Sequence, residues 1–259
     1  MKSQLSIVKI GGNVIENQEE LNTLLALFSQ LPSPKILVHG GGKSATEISA
    51  RLGIEAQMVN GRRITDAKGL EVVVMVYAGL LNKNLVAGLQ ALGCNAIGLS
   101  GADANAITAY KRPVKEIDYG FAGDVSAVDG EVIGKLLKSG LSPVFCALTH
   151  DGMGQMLNTN ADTIAAEVGI GMSQEYDVTL YYCFEKKGVL SNVEDDSSVI
   201  KHIDQENYPQ LVEEKVIANG MLPKLHNCFH ALEHGVQTVC IGNLGMLKPN
   251  AELFTTVTL

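Results

Sequence analysis

The sequence lacks the marks of several large protein classes. Its five cysteines, at positions 94, 146, 183, 228 and 240, include no Cys-x-x-Cys pair, so they support neither a zinc site nor a disulfide framework. A surplus of positive charge is also absent, because 20 Lys and Arg stand against 28 Asp and Glu. A formal charge of −8 has the wrong sign for wrapping a phosphate backbone. We therefore expect no nucleic-acid partner, and we expect the thiols to be reduced and buried.

Long apolar runs are missing as well. No run approaches the roughly 18 residues that a membrane span requires, and the start of the chain lacks the pattern of a signal peptide. There is no internal repeat, low-complexity tract or linker. These absences predict a cytoplasmic protein that does not bind membranes.

The composition itself is that of a folded globular protein. Hydrophobic residues make up 46% and charged residues 19% of the 259 positions, which excludes disorder, collagen and coiled coil. The length allows one large α/β domain or two lobes that share a cleft.

Two strand-glycine-helix units occupy the first 50 residues. The apolar segment 5–10 runs into Gly11-Gly12, and the segment 35–39 runs into Gly40-Gly41-Gly42. Each unit predicts a buried strand, a glycine turn and a helix. Consecutive units of this kind predict parallel winding, with both turns at the carboxyl edge of one sheet, where open α/β sheets bind ligands.

The rest of the chain continues this pattern. We expect one long or broken helix over 66–92, short antiparallel strands between 98 and 130, and a buried strand at 143–147. A helix should begin at Asn160, whose side chain is a plausible N-cap. The last third predicts strands near 177–183, 236–241 and 253–257 and helices over 207–218 and 224–234.

Three motifs in the chain are incomplete. Residues 40–44 end like a phosphate-binding P-loop, but the first glycine of that motif would fall on Leu37, inside a strand. Residues 158–162 begin like a calcium loop that lacks its glycine and its final glutamate. His230-Ala-Leu-Glu-His234 resembles a zinc-peptidase signature, but it lies opposite the apolar stripe of its helix and is better explained as a solvated face.

A few polar residues stand where a purely structural role is a poor explanation. Lys9 ends an apolar strand, where a lysine usually has a partner. Lys224 lies at the start of a helix, where the helix dipole disfavours a cation. Arg63 follows a turn and could clamp a carboxylate, with Arg62 as a competitor for that role. Asn158 could donate to a ligand oxygen; alternatively, it and Asp162 are solvated neighbours of a helix cap.

These residues belong to seven segments that together resemble the amino-acid kinase superfamily over almost the whole chain. The segments, in order, are Lys9-Ile-Gly-Gly12, His39-Gly-Gly-Gly42, Asn60-Gly-Arg-Arg-Ile-Thr65, Gly98-Leu-Ser-Gly101 with Asp103, Asp118-Tyr-Gly-Phe-Ala-Gly-Asp-Val125, Leu157-Asn-Thr-Asn-Ala-Asp162 and Gly220-Met-Leu-Pro-Lys224.

The resemblance implies a three-layer αβα sandwich around a mainly parallel open sheet. It implies an acylglutamate-binding lobe at 1–171, a nucleotide-binding lobe at 172–259, and ATP-dependent phosphorylation of the γ-carboxylate of N-acetyl-L-glutamate in arginine biosynthesis. Mg²⁺ would be held mainly by ATP and water. A homodimer that is insensitive to arginine is expected, because the chain begins almost directly at its first strand.

The same resemblance assigns roles to individual residues. Lys9 and Lys224 would flank the phosphoryl group in transfer, and Asp162 would hold the two lysines in place. Gly41, Gly42, Arg63 and Asn158 would bind the acylglutamate. The nucleotide would be bound by Gly11, Gly12, Glu185, Lys186, Lys187, Gly188, Val189, Leu190, Val216, Ile217 and Ala218. The chain departs from the family pattern at Glu185, where aspartate is usual, and at Ala102, where lysine is common.

The chemistry fits these residue types. A glutamate γ-carboxylate has a pKa of about 4.3 and is already ionised near pH 7, so its attack on ATP needs no general base. The site must instead supply positive charge and N–H donors to three negatively charged partners that meet at one point.

Three alternatives remain open from the sequence. The acyl group could be succinyl instead of acetyl. The chain could be another kinase of the superfamily, acting on carbamate, aspartate or a nucleotide. It could also be an amino-acid sensor that keeps the fold without catalysis.

Overall fold

The computed structural model describes residues 2–59, 61–217 and 221–259. Its elements up to residue 99 are, in chain order, β1 (Ser3–Ile10), α1 (Gly12–Glu16), α2 (Gln18–Gln30), β2 (Lys35–His39), α3 (Gly42–Arg51), β3 (Gln57–Val59), β4 (Arg62–Ile64), α4 (Ala67–Val74), a π-helical segment (Met75–Leu81), α5 (Asn82–Ala91) and β5 (Ala96–Leu99).

The elements beyond residue 99 include two short 3₁₀ turns, at Asp103–Asn105 and Leu244–Leu247. The others are β6 (Ile107–Lys111), β7 (Gly123–Val128), α6 (Gly130–Lys138), β8 (Ser142–Cys146), β9 (Leu148–His150), β10 (Met156–Asn158), α7 (Ala161–Met172), β11 (Tyr176–Cys183), β12 (His202–Ile203), α8 (Tyr208–Glu213), α9 (Met221–Glu233), β13 (Thr238–Gly242) and β14 (Thr255–Val257).

One eight-stranded sheet runs through the molecule in the order β12-β14-β13-β11-β1-β2-β8-β5. Its neighbouring strands are parallel except for β13 and β14, which are antiparallel. The predicted mainly parallel open sheet is confirmed. β1 lies next to β11, so strands from both ends of the chain meet at the centre of the sheet.

Helices cover both faces of this sheet. Successive residues of a strand point to opposite faces, and Ile7 and Val8 in β1 accordingly belong to two different apolar cores. One core is packed with residues of α7 and α9, such as Ile164 and Leu225. The other is packed with residues of α2 and α5, such as Phe28. The result is the predicted three-layer αβα sandwich.

The segment predicted as one long or broken helix is continuous from Ala67 to Ala91, with the π-helical turns in its middle. The run Val72–Val76, whose branched residues favour helix poorly, lies where α4 passes into those turns. By length and composition this helix could cross a membrane, so the expectation that no apolar segment approaches that length is wrong. In the fold the helix packs against α2, α3, β5 and β8.

The region 98–130 is only partly as predicted. β6 and β7 are antiparallel, and they form a second, four-stranded sheet in the order β10-β9-β6-β7. β5, however, joins the main sheet as a parallel edge strand beside β8.

The last third contains the three predicted strands, but its helices have different bounds. α8 ends at Glu213 and not near residue 218, and Ile217 follows it as a buried residue outside any helix. α9 begins at Met221, three residues before the predicted start. The predicted cap of α7 is confirmed, because Asn160 Oδ1 accepts from the N–H groups of Asp162 and Thr163.

Candidate active site

The two glycine turns lie at the same edge of the main sheet. β1 and β2 are parallel neighbours, and their last residues, Ile10 and His39, are paired in register. The turns that follow, at Gly11-Gly12 and at 40–42, therefore leave the sheet side by side. Each leads directly into a helix, α1 or α3, as the sequence predicts.

Lys9, Asp162 and Lys224 come together beside these turns. Lys9 Nζ lies 2.6 Å from Asp162 Oδ1, and Lys224 Nζ lies 3.2 Å from Asp162 Oδ2. The Lys224 contact has hydrogen-bond geometry, whereas the Lys9 contact is an ion pair by distance alone, since Asp162 Oδ1 has no partner by the angular criterion. Two cations that are 215 positions apart in the sequence thus share one carboxylate.

The pair of lysines sets the protonation state of Asp162. Burial raises the pKa of this carboxyl group, but the charges of Lys9 and Lys224 outweigh burial and hold the pKa below its usual value. The carboxylate is therefore ionised and cannot act as an acid near neutral pH. Its backbone is also held, because the Tyr182 hydroxyl donates to Asp162 O at 3.0 Å.

A cleft of about 180 Å³ opens beside the second glycine turn, and we call it the Gly41 cleft. It contains all four residues predicted to bind the acylglutamate, and its lining includes Gly41, Gly42, Arg63, Asn158 and Ala161. Ala161 directly precedes Asp162, so the lysine-bound carboxylate adjoins this cleft.

Arg63 is fixed in place from one side. Its Nη2 donates to Gly42 O at 2.8 Å and to Thr46 Oγ1 at 2.5 Å. Its Nε is buried, with no hydrogen-bond partner among the residues that the structure describes. Arg63 lines the cleft and is held in place by Gly42 and Thr46, so its guanidinium is suited to pair with an anionic ligand there. Arg62, the competitor in sequence, lines the same cleft but is exposed.

The other side of the Gly41 cleft is formed by the second sheet. Asn158 Nδ2 donates to Thr65 Oγ1 at 3.0 Å, which orients the amide. Arg112 lines the cleft, and its guanidinium makes a forked contact with both carboxylate oxygens of Asp124. This pairing raises the pKa of Arg112 further, chiefly through the hydrogen bond to Asp124.

Sequence reasoning missed Arg112 and Tyr77. Tyr77 lies on the π-helical segment, is 5% exposed and lines the Gly41 cleft. π-Turns inside helices are frequent at functional sites, but nothing in the apolar run around Tyr77 signals one. Arg112 belongs to none of the sequence motifs, and it reaches the cleft only because β6, which it follows, pairs with β7.

A second cleft, of about 230 Å³, adjoins the first glycine turn, and we call it the Gly11 cleft. Four residues that were predicted to bind the nucleotide line it, namely Gly11, Gly12, Glu185 and Lys186. Lys9 lies two residues before Gly11 of this cleft, and its partner Asp162 directly follows Ala161 of the Gly41 cleft.

The remaining predicted nucleotide residues lie elsewhere. Lys187 is exposed and Val216 is half-buried, whereas Gly188, Val189, Leu190 and Ile217 are buried. Val189 N donates to Thr255 Oγ1 at 2.8 Å, and a Cβ at Gly188 would lie 2.6 Å from Val199 Cγ1. Val189 and Gly188 thus pack the segment onto the sheet, and the nucleotide contacts of these residues stay a prediction. Ala218 lies outside the described residues.

The incomplete metal motifs acquire no metal geometry in the described part of the chain, where no group of three or more His, Cys, Asp or Glu is placed to hold an ion. His230 Nε2 instead faces Glu167 Oε1 at 3.1 Å, and its ring stacks on that of His234. The five cysteines are free and buried, as expected.

An open αβα sheet with two glycine turns and a lysine pair at one edge is suited to binding phosphoryl groups, and it is the arrangement of a small-molecule kinase. The chain belongs to the amino acid kinase family, whose family model matches residues 4–243.

Relatives within the family are similar over almost their full length. A Phocaeicola vulgatus protein named acetylglutamate kinase is 56% identical over 241 residues, which cover 93% of this chain and 94% of the relative. A Methanopyrus kandleri protein of the same name is 36% identical over 249 residues, covering 94% and 97% of the two chains.

Solved structures share the fold. The N-acetylglutamate synthase of Neisseria gonorrhoeae, complexed with coenzyme A and N-acetyl-glutamate, matches with a TM-score of 0.82 at 21% identity. That match covers 99% of this chain and 59% of the synthase chain. The carbamate kinase of Giardia matches with a TM-score of 0.70 at 11% identity and covers 99% of each chain.

Proposed function

We propose that this kinase transfers the γ-phosphoryl group of ATP to the γ-carboxylate of N-acetyl-L-glutamate, the second step of the acetylated route to ornithine and arginine. The observation that carries this proposal is the meeting of Lys9 and Lys224 at Asp162, which directly follows Ala161 of the Gly41 cleft, while Lys9 lies two residues before Gly11 of the Gly11 cleft. Relatives at 53–56% identity that carry the name acetylglutamate kinase support the same substrate.

Catalysis in this proposal consists of alignment and charge. The acylglutamate lies in the Gly41 cleft with its γ-carboxylate toward the lysines, and the ATP phosphates lie at Gly11 and Gly12. Lys9 and Lys224 stabilise the charge that develops on the oxygens of the phosphoryl group in transfer. Asp162 acts as a positioning residue, because both of its oxygens are engaged by the lysines.

The amino-acid end of the substrate is bound by Arg63 and Asn158. The guanidinium of Arg63 lines the Gly41 cleft, and it would pair with the substrate α-carboxylate. Asn158 presents its amide to the acyl-amide part. We also assign 1–171 to the acylglutamate and 172–259 to the nucleotide. Both substrate contacts come from the first range, which in addition brings Gly11 and Gly12 to the ATP phosphates beside Glu185 and Lys186.

Mg²⁺ fits the site as an ion carried by ATP. Both Asp162 oxygens are occupied by ammonium groups, so a metal held by ATP oxygens and water is consistent with the donor set. When bound, it neutralises phosphate charge.

We also propose a homodimer in the cytoplasm. Exposed apolar side chains on the long central helix, Met75 and Leu80, support a further protein contact there.

The test is direct turnover. ATP, Mg²⁺ and N-acetyl-L-glutamate should yield ADP and an acyl phosphate that hydroxylamine traps as the hydroxamate. ADP release without hydroxamate, or no ADP release with any acylglutamate, would contradict the proposal. The second result would favour the non-catalytic sensor.

One observation favours a second candidate, N-succinyl-L-glutamate. A neighbouring cleft of about 520 Å³ shares Arg62 and Arg112 with the Gly41 cleft and also contains Lys115. It provides extra room and, in Arg62 and Lys115, two cations for a carboxylate-bearing acyl group, while Arg112 is paired with Asp124 and Glu116 also lines the cleft. Turnover measured side by side on the acetyl and succinyl substrates distinguishes the two, and failure on both would remove this function altogether.

A further inference from the structure

A buried histidine stands directly before the second glycine turn and takes no part in the proposed chemistry. His39 is the last residue of β2 and is fully buried. Its Nδ1 lies 2.8 Å from Gly40 O, and its Nε2 lies 3.1 Å from Asn82 Nδ2. Both ring nitrogens are therefore engaged, one by the glycine turn and the other by the first residue of α5.

The surroundings of Asn82 determine which ring nitrogen carries the proton. Asn82 Oδ1 accepts from Lys83 Nζ at 3.1 Å, and Asn82 Nδ2 donates to Val144 O at 2.9 Å. An ammonium group only donates and a carbonyl only accepts, so the orientation of the amide is unambiguous. Its NH₂ group faces the imidazole. His39 Nε2 must then accept, and the proton of the neutral ring lies on Nδ1.

The charge state agrees with this tautomer. Burial lowers the pKa of the His39 imidazole to about 4, with a smaller lowering by the charge of Lys83 and a partial opposing effect of the hydrogen bond to Gly40. The ring is neutral near pH 7, so only one of its nitrogens donates.

The hydrogen bond to Gly40 orients the next peptide. In a trans peptide the C=O and the following N–H point in opposite directions. Since Gly40 O is held toward the buried ring, the Gly41 N–H is turned away from the ring, toward the cleft that Gly40, Gly41 and Gly42 line. The helix α3 supplies no acceptor for the N–H groups at its own start, so these donors are available to a ligand.

Gly98 shows that the fold makes room for this network. A Cβ at Gly98 would lie 1.9 Å from Asn82 Oδ1 and 2.8 Å from Lys83 Nζ, and Gly98 O accepts from Lys83 Nζ at 3.2 Å. Gly98 thus leaves the space that Asn82 needs to reach His39. The segment 98–101, which begins with this glycine, has no role in the proposed substrate and nucleotide sites.

We propose that His39 and Asn82 are positioning residues for the transfer reaction, and that the chain Lys83–Asn82–His39–Gly40 aims the Gly41 N–H at the oxygens of the reacting γ-carboxylate and phosphoryl group. The inference rests on the proposed function, because it requires an anion in the Gly41 cleft. Neither side chain touches the substrate; both act through the orientation of one peptide group.

The decisive variant is Asn82→Asp, compared with Asn84→Asp, which makes the same change at an exposed position of the same helix. A carboxylate only accepts, so it can donate neither to His39 Nε2 nor to Val144 O, and the orientation of the ring that holds Gly40 O is no longer fixed. We expect Asn82→Asp to lower kcat by about tenfold to a hundredfold, less than the loss of an oxyanion donor outright, with KM for ATP nearly unchanged. Asn84→Asp should keep wild-type kinetics.

A second pair of variants tests the donor itself. His39→Leu removes the N–H and should lower kcat in the same way, whereas His39→Asn keeps an amide N–H close to the position of Nδ1 and should recover much of the loss. Equal kcat values for Asn82→Asp and Asn84→Asp, or for His39→Leu and the wild type, would overturn the inference.

The tautomer can be read without any substrate. Nitrogen-15 NMR of the wild-type imidazoles, with the His39 signals identified by their absence in His39→Asn, should show a protonated Nδ1 and an unprotonated Nε2. A protonated Nε2 would refute the inference even in an active enzyme. If the wild type does not phosphorylate any acylglutamate, the proposed function fails, and this spectrum still decides the orientation of the network.

Discussion

The two glycine turns follow the same local pattern, yet they contribute different things to the site. Residues of β1 and β2 are paired one to one, so Lys9 stands opposite Val38 and Ile10 opposite His39. At the first turn the last polar side chain is a cation that reaches Asp162. At the second it is a buried, neutral imidazole that binds the backbone of the turn. In the proposed mechanism the first turn brings charge to the reaction, and the second brings oriented N–H donors.

Their freedom to accept side chains differs too. A Cβ on Gly11 would meet nothing within 4 Å, whereas one on Gly41 would lie 2.3 Å from Leu81 Cδ1 and 3.0 Å from Tyr77 Cδ1. The π-helical segment thus packs directly beneath the second turn. Glycine is required by close approach at one turn and not at the other.

The largest expected effect concerns the charge at the first turn. Lys9→Ala or Lys224→Ala should lower kcat by on the order of 10² to 10³, the scale for one lost transition-state contact, with a smaller change in KM. Lys135→Ala, an exposed lysine paired with Glu131, is the control in the same ADP-release assay. Near-normal turnover in either site variant would contradict the assignment of both lysines.

The next effect is a pH dependence of the free energy of unfolding, which His39 at the second turn should cause. His39 has a usual pKa of 6.5 and a folded-state pKa of about 4, so the unfolded chain binds more protons between these values and stability falls as the pH falls. By pH 4 the loss from this group should be about 3 kcal/mol.

Urea unfolding of the wild type and of His39→Asn between pH 7 and pH 4 measures this difference. Carboxylates common to both proteins cancel, and the variant should show the shallower decline. Identical slopes would mean that His39 titrates normally in the folded protein.

Arg63→Ala tests substrate binding beside the second turn. Charged hydrogen bonds contribute about 1.5–3 kcal/mol, so KM for the acylglutamate should rise by roughly tenfold to a hundredfold while kcat changes less. Arg51→Ala, at an exposed position of helix α3, which Arg63 contacts through Gly42 and Thr46, should leave KM unchanged. A drop in kcat alone would place Arg63 at the reacting group instead.

The smallest expected effect is the difference in the free energy of unfolding between Gly41→Ala and Gly11→Ala. Gly41→Ala forces Leu81 and Tyr77 to shift and should reduce the free energy of unfolding by about 1–3 kcal/mol, the usual range for overpacking. Gly11→Ala should change it by no more than about 0.5 kcal/mol, as at an open surface position. Equal values in urea unfolding would show that the two turns are equally constrained.

Much of the site could be predicted because its pieces are local. Strand, glycine turn and helix follow one another within a dozen residues, and parallel winding necessarily brings both turns to one edge. Lys9 stood out because a lysine at the end of an apolar strand requires a partner. Its partners Asp162 and Lys224 came only from the resemblance to a family, because no local rule connects residues so distant in the chain.

What the sequence left open has an equally physical origin. Val189 and Leu190 follow a glycine like a ligand loop does, but they are buried against the sheet edge, which depends on Thr255 and Val199. Arg62 and Arg63 are adjacent and chemically alike, and only the direction of β4 buries one and exposes the other. The π-helical turns arise within an apolar run that reads as an ordinary helix.

By itself, the sequence determined the order of the elements, their apolar faces and the glycine turns, because backbone preferences and the periodicity of strands and helices act over a few residues. Only the tertiary structure decided which polar groups share a space: Lys9 with Lys224, Arg63 with Gly42, and His39 with Asn82. The reason is that strand register and helix packing set these distances, and both depend on contacts between residues that are far apart in the chain.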